Sequence, residues 1–455
     1  MNSDIPPHSL VAIIGAGPAG LYAAHKLADN GVRVVLFNRD VKPGGLAEYG
    51  IYPDKMKMKA GLRKQFRHIL SSPLIDYYGN TTVCAGGNLT IFDLLGAGFQ
   101  ALLVATGAQG TKWLGLDGEY LRGVYHAKDL VYHYNRLPPY AGELYPIGQR
   151  VALVGAGNVM MDIAHWLVRQ VKVREVIAVV RRGPLEVKFA KEEAKAVAAN
   201  FDLAKLDADL ERLGPLMASL DQDPAVAREI YTAPLAKALA PVSETRFDFE
   251  FLASPTRILG EQGHVTGLEV EDNMLTCDGS EARPRGLSTF RRLEVDTVVF
   301  CIGDTVDKNF CLPTRNNEYA KIPTPRFPVD ETSYEALDPE QNRPFENIFL
   351  AGWARLASTG LVGVARHDGE NGAEAVLRYL HTLPPLADAE ELLREFEQEF
   401  ERFNPLAIKK EHLLPLEAAE LAEAQRRGVE DFKFTTNEEM FTAIGRKQDT
   451  SRIPY

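Results

Sequence analysis

One arrangement of residues occurs twice in this chain and restricts its fold more than any other feature. A short apolar run, a glycine-rich turn, a helical stretch and a second apolar run follow one another from residue 10 and again from residue 150. The first copy reads Leu10-Val-Ala-Ile-Ile14, Gly15-Ala-Gly-Pro-Ala-Gly20, a helix from Leu21 stopped by Gly31, then the strand ending Val-Leu-Phe37. Apolar runs flanking a segment of helical period predict a βαβ unit. In that context Gly15, Gly17 and Gly20 form GxGxxG, with Pro18 and Ala19 between them. The first glycine permits the tight turn, the second lets the backbone approach a pyrophosphate, and the third lets helix and strand pack closely. The helix N-terminus offers N–H groups and a positive dipole end to the phosphates. The motif alone is weak, and a tight structural turn is the competing reading. The flanking strands and helix favour a dinucleotide.

The second copy reads Arg150-Val-Ala-Leu-Val154, Gly155-Ala-Gly157-Asn158-Val159-Met160, a helix to Val168 and Val176-Ile-Ala-Val-Val180. Met160 holds the third glycine position, where a large side chain should push helix and strand apart or turn outward. The two second strands end differently, and the difference assigns the ligands. The first ends Phe37-Asn38-Arg39-Asp40. Asn38 stands where a ribose-binding acid is expected; it can bond a ribose hydroxyl without charge, with Asp40 as substitute. The second ends Val180-Arg181-Arg182-Gly183-Pro184. There is no acid, and two guanidinium forks stand where a ribose 2′-phosphate would lie. This predicts NADPH rather than NADH on the second unit; a solvated arginine pair is the alternative.

A length of 455 residues suggests two or three domains. With 45% hydrophobic and 25% charged residues, a disordered or fibrous chain is excluded. The 51 basic against 62 acidic residues give −11, a poor match to nucleic acid or anionic membranes. Cys84, Cys277, Cys301 and Cys311 are too far apart for a CxxC redox motif or for iron–sulfur or zinc ligand spacing. They read as small buried hydrophobes suited to a reducing compartment. The polar start MNSDIPPHSL lacks signal-like regions, and no apolar run nears the roughly 20 residues that cross a bilayer. A cytoplasmic protein is expected.

Further strands end at Ala105-Thr-Gly107, at Ile302-Gly303 and at Ala351-Gly352-Trp353, the last followed by Thr359-Gly360-Leu361-Val362 and a helix to about Leu380. The order fits one dinucleotide domain inserted in another. The expected division is residues 1–107 and 330–385 for the first, 108–329 for the second, and a mostly helical extension over 386–455. The fold class is α/β, with two Rossmann-like domains. In the extension, Leu392, Leu393, Phe396, Phe400 and Phe403 form an apolar stripe among glutamates. Packing on the chain's own core is the default; docking a partner subunit is the alternative.

These landmarks, together with Pro43-Gly-Gly45-Leu46, Tyr49-Gly50-Ile-Tyr-Pro-Asp54, Phe251-Leu-Ala-Ser-Pro255 and Glu438-Glu-Met-Phe-Thr-Ala-Ile444, keep one order along nearly the whole chain. The chain resembles the adrenodoxin reductase group of ferredoxin–NADP reductases and is more distantly similar to the flavin domains of glutamate synthase small subunits. The resemblance implies FAD on the first domain and NADPH on the inserted one. Hydride would pass between nicotinamide and flavin, and single electrons between flavin and an iron–sulfur carrier such as a ferredoxin. By the same resemblance Gly15, Gly17 and Gly20 cradle the FAD pyrophosphate. Leu46 and the Gly50–Asp54 loop flank the flavin ring, and Trp353 and Gly360 sit near its junction with the nicotinamide. Gly155, Gly157, Asn158 and Val159 hold the NADPH pyrophosphate, Asp162 lies near the flavin edge, and Glu193 reaches the carboxamide. For Trp353, Asp162 and Glu193 the plain alternatives are a core aromatic, a first-turn acid and a solvated helix acid.

The chain departs from the family in Asn38, in Lys55 where histidine is usual, and between Trp353 and Thr359, where a Gly-Pro is missing. The partner surface follows from charge instead. Residues 55–67 carry Lys55, Lys57, Lys59, Arg63, Lys64 and Arg67 and no acid. On a helix Lys59, Arg63 and Arg67 share a face. That face is the expected dock for an acidic electron carrier, against the plainer reading of a solvated helix. The overall expectation is an FAD-dependent NADPH:ferredoxin oxidoreductase, the alternative being an electron-transfer subunit of a larger iron–sulfur complex.

Overall fold

The computed structural model describes residues 9–84, 86–278, 281–357 and 360–446, so Thr359 and the side chain of Cys277 lie outside it. The chain divides into two compact units. The first is Met1–Thr111, Tyr132–Gly142 and Asp304–Tyr455; the second is Lys112–Val131 and Glu143–Gly303.

The first unit is built on a six-stranded sheet in the order Glu335–Asp338, Arg343–Leu350, Ala101–Val104, Leu10–Ile14, Arg33–Phe37, Ile75–Tyr78. Neighbours run parallel except the first pair, an antiparallel hairpin. Helices cover both faces, so the central strand Leu10–Ile14 is buried throughout and reads as an unbroken apolar run rather than an alternating one. Helix Pro18–Asp29 begins with proline at its first turn, where the missing N–H costs nothing, and ends before Gly31. Helix Val362–Leu380 packs beside it.

The return to the first unit falls at Asp304 rather than near residue 330. There Asp304–Thr305 pairs antiparallel with Gly110–Thr111, so the outgoing and returning strands of the long excursion form one ribbon. A short arm, Tyr132–Gly142, also belongs to the first unit. The segment after residue 386 is not a separate extension. In helix Ala389–Phe403, Phe396 and Phe400 meet Phe37 edge-on at 5.8 and 6.1 Å between ring centroids, and Leu393 is buried beside them. Each such side chain contributes about 2 kcal/mol relative to exposure. Phe403 alone of the stripe faces solvent. The stripe is thus covered by its own chain, as the default reading had it, and is not available to a partner subunit.

The second unit carries an all-parallel five-stranded sheet in the order Val124–His126, Thr297–Phe300, Arg150–Val154, Glu175–Val180, Arg246–Phe251. A three-stranded antiparallel sheet follows, Ala253–Glu261, His264–Asp278 and Glu281–Leu293. Met160 does not turn outward; it is fully buried. An unbranched thioether adapts to irregular space in a core.

Two of the four cysteines are also placed differently from expectation. Cys84 and Cys311 form a disulfide, 227 residues apart in sequence. Cys84 lies in the same apolar cluster as Phe310 and Leu312, and this packing brings the two sulfurs together without any motif. Cys301 is a buried free thiol, and burial pushes its pKa up. The bridge removes the argument from cysteine usage to a reducing compartment. Among the described residues no helix is long and apolar enough to cross a membrane.

Candidate functional site

The first cradle lies between Ile14 and Pro18. Gly15 has φ +109°, and a Cβ there would lie 2.4 Å from the Ala105 carbonyl oxygen. A Cβ at Gly20 would lie 1.9 Å from the Gly15 carbonyl oxygen. Both positions therefore demand glycine, one for the turn and one for the close approach of helix to turn. At Gly17, by contrast, a Cβ would meet nothing within 4 Å. The turn is open where a pyrophosphate would lie, and helix Pro18–Asp29 has no side-chain cap and no acid in its first turn. Backbone N–H groups and the dipole are left for an anion.

Asn38 is buried, and its amide is used within the protein. Its Oδ1 accepts from the Ala16 N–H at 3.1 Å, and its Nδ2 donates to the carbonyls of Asp40 and Lys42 at 2.9 and 3.0 Å. It ties the glycine turn to the loop after the second strand rather than pointing free toward a ribose. Asp40 is held by Arg39 at 3.1 Å.

Pro43-Gly44-Gly45 leads into the four-residue helix Leu46–Tyr49. The Gly44 N–H donates to the Ala16 carbonyl at 2.7 Å, and a Cβ on Gly45 would sit 3.1 Å from the Gly17 Cα. Gly45 and Leu46 thus form a wall of the first cradle, with Gly50 closing the short helix. Gly107 follows the strand Ala101–Val104, whose neighbour Leu10–Ile14 delivers Gly15. Gly352 reaches the cradle helix from the other side, where its Cβ would fall 2.6 Å from that of Ala19. Trp353 is half-buried rather than a core aromatic. Leu361 caps helix Val362–Leu380 and is 72% exposed. At Gly360, which has φ +73°, a Cβ would lie 2.5 Å from the Val364 side chain.

Sequence reasoning missed what fixes the Trp353 loop. Asp368 accepts from the Gly352 N–H at 2.6 Å, from Arg355 Nε at 3.0 Å and from the Tyr334 hydroxyl at 3.3 Å. The Arg355 guanidinium also stacks 4.6 Å from the Tyr334 ring. An acid in the second turn of the helix that follows a glycine-ended strand was the available signal.

The second cradle repeats the first. Gly155 has φ +138°, with the Cys301 carbonyl oxygen 2.4 Å from where a Cβ would stand, and Gly157 is open. Asn158 Oδ1 accepts from the Ala190 N–H at 2.7 Å, and the Lys188 N–H donates to the Ala156 carbonyl at 2.8 Å. The loop after the arginine pair is thereby drawn onto the glycine turn. Val159 is 44% exposed at the helix start. Asp162 is half-buried in the second helical turn, so it is not a first-turn acid. Glu193 lies half-buried on the short helix Lys191–Ala194.

Arg181 and Arg182 end the strand Glu175–Val180, and their carbonyls are held by Asn273 Nδ2 at 2.9 Å and the Leu252 N–H at 3.0 Å. Among the described residues neither guanidinium has an ion-pair partner, and the Arg182 Nε is buried without a hydrogen bond. Two backbone-anchored, unneutralised guanidinium groups at a strand end suit a phosphate.

The proposed basic face on helix Met56–Leu70 is corrected by the structure. Lys59 is 1% exposed and donates to Asn135 Oδ1 at 2.8 Å. Its ammonium is pushed down to about 7, first by burial and then by the neighbouring Lys433. Arg63 makes a bidentate pair with the buried Glu48 at 2.6 and 2.7 Å, and Arg67 pairs with Glu417. These three share a face, as spaced, but Lys59 is buried, Arg63 is half-buried and paired, and Arg67 alone of them is exposed, with its charge paired to Glu417. Lys57 and Lys64 are exposed on the other side.

Two βαβ units, one inserted in the other along the chain, each carry an open glycine turn. Residues 9–210 match the pyridine nucleotide-disulphide oxidoreductase family. The NADPH-ferredoxin reductase FprA of Mycobacterium leprae is 27% identical over 414 residues, 82% of this chain and 85% of its own length. The mitochondrial NADPH:adrenodoxin oxidoreductase of Arabidopsis thaliana is 25% identical, covering 79% of each chain. The fold matches that of Mycobacterium tuberculosis FprA, solved in complex with NADPH, with a TM-score of 0.78 and 23% identity over 96% of this chain and 99% of the other. The chain is thus similar, over most of its length, to the ferredoxin and adrenodoxin reductases that its motifs resemble.

Proposed function

We propose that the protein is an FAD-dependent NADPH:ferredoxin oxidoreductase. The observation that carries the reading is the difference between the two cradles. The first is braced by Asn38 and walled by Gly45 and Leu46; the second ends in two unpaired guanidinium groups at Arg181 and Arg182. FAD belongs on the first and NADPH on the second. When bound, FAD exchanges hydride with nicotinamide and single electrons with an iron–sulfur carrier.

Gly15, Gly17, Pro18, Ala19 and Gly20 present backbone N–H groups to the FAD pyrophosphate, and Asn38 keeps that turn in register. Gly45, Leu46, Gly50, Gly107, Gly352, Trp353, Gly360, Leu361 and Val362 surround the ring. Gly155, Gly157, Asn158 and Val159 take the NADPH pyrophosphate, and Arg181 and Arg182 its 2′-phosphate. Asp162 and Glu193 orient the nicotinamide end. An acidic iron–sulfur carrier docks on the exposed lysines Lys57 and Lys64, where opposite charge speeds encounter. A cytoplasmic location is part of the proposal.

The test is anaerobic. The purified protein, reconstituted with FAD, is titrated with NADPH and with NADH while flavin absorbance is followed, then offered a panel of ferredoxins. Preferential bleaching by NADPH and reoxidation by a ferredoxin are expected. A protein that takes up no FAD, or that accepts NADH more readily, refutes the reading.

A further inference from the structure

We propose that the C-terminal segment acts on the first cradle, with Lys433 and Glu48 as positioning residues for the short helix that carries Leu46. The proposal rests on the FAD reading of that cradle. Glu48 is 3% exposed, three residues beyond Gly45. Besides the Arg63 pair, its carboxylate faces Lys42 Nζ at 3.3 Å and Lys433 Nζ at 3.2 Å. Lys433, equally buried and 385 residues further along the chain, also donates to the Glu48 carbonyl at 2.7 Å and to the Asn135 carbonyl at 3.3 Å. Its ammonium lies 4.6 Å from the Tyr49 ring centroid. Glu420, on helix Leu413–Arg427, completes the cluster by pairing with Lys42, and Asp431 pairs with Arg63 at 3.4 Å.

The cluster supplies what the short helix lacks. One helical turn of four residues cannot hold itself in water, because nucleation costs more than its few hydrogen bonds return. Leu46–Tyr49 is oriented by partners outside it: Lys433 holds it directly, and Glu420 and Asp431 hold its other partners, Lys42 and Arg63. The same helix continues directly from Gly45, which stands against Gly17. A shift of the helix therefore shifts the wall of the cradle. Removing one member leaves the others as uncompensated buried charge, which favours such a shift.

The experiment uses the full chain, stripped of flavin and titrated with FAD by fluorescence. Lys433→Met and Glu48→Gln are each expected to raise the FAD dissociation constant at least tenfold and to move the bound-flavin absorption maximum. The double variant is expected to be no worse than the poorer single, and Lys433→Arg to recover part of the loss. A folded Lys433→Met protein that binds FAD within twofold of the unaltered protein, with an unchanged flavin spectrum, overturns the proposal. If Lys433→Met does not fold, Glu420→Gln decides: a threefold or larger weakening supports the proposal and none refutes it. An unaltered protein that takes up no FAD overturns the cradle assignment itself, and this proposal with it.

Discussion

Asn38 holds the Ala16 N–H with its oxygen at 3.1 Å while its nitrogen donates to two carbonyls on the next loop. The residue is a neutral cross-brace in the position where an acid would serve a ribose. Asn38→Asp, which restores the acid usual at that position, is therefore expected to weaken FAD binding rather than strengthen it. The new carboxylate would face the carbonyls of Asp40 and Lys42 with no proton to give, at a cost of about 1–3 kcal/mol. Thermal denaturation and FAD titration of the variant check this; tighter binding would show that the amide is not a brace.

Arg181→Ala and Arg182→Ala should each raise the Michaelis constant for NADPH by about 10- to 100-fold, the equivalent of losing one or two charge-assisted contacts. The constant for NADH should stay within about twofold. Steady-state kinetics with both donors and a ferricyanide acceptor measure the contrast. Equal losses for the two donors would place the arginines away from the 2′-phosphate.

Lys59 gives a pH signature. Its ammonium titrates near 7 in the folded protein, against 10.5 as the ordinary value, because burial disfavours the charge. Between those values the unfolded chain binds the proton and the folded one does not, so stability rises with pH across that window. Below 7 the folded protein carries the whole cost of the buried charge. Lys59→Met should flatten the rise between pH 7 and about 10 and add stability at the lower end, on the order of a few kcal/mol at most. Urea midpoints at several pH values report it.

The two faces of helix Met56–Leu70 should separate in kinetics. Lys57→Glu with Lys64→Glu is expected to lower ferredoxin reduction severalfold at low salt and to leave ferricyanide reduction unchanged. Arg63→Glu instead places a like charge against Glu48 and should cost about 3–5 kcal/mol of stability. Salt-dependent rates and melting curves distinguish the outcomes.

The Cys84–Cys311 bridge predicts a thiol count. In the denatured, unreduced protein Cys301 should react while Cys84 and Cys311 should not, and both should react after reduction. Cys84→Ser should lower stability by about 2–4 kcal/mol, since the bridge closes a long loop in the unfolded chain. Four reactive thiols before reduction would mean that the bridge does not form.

The two βαβ units were legible because parallel strands and their helices write their period directly into local sequence. Gly15 and Gly155 could be read because the turn admits no other residue. The basic helix misled for a physical reason. The i,i+4 spacing correctly placed Lys59, Arg63 and Arg67 on one face, but spacing is silent on which of them is buried and which are already paired. Their partners Glu48, Asn135 and Glu417 lie on three other elements, the last 350 residues away. Met160 left two readings open, and its burial excludes the outward one. Cys84 and Cys311 carried no spacing signal at all, since only the packed core brings them together.

The arm Tyr132–Gly142 makes the inserted unit harder to exchange than its paired ends at Thr111 and Asp304 suggest. Cutting at that ribbon and grafting in a foreign nucleotide module would also discard Asn135, the acceptor for two ammonium groups of the host, Lys59 and Lys433. A working chimaera must keep those eleven residues or neutralise both lysines.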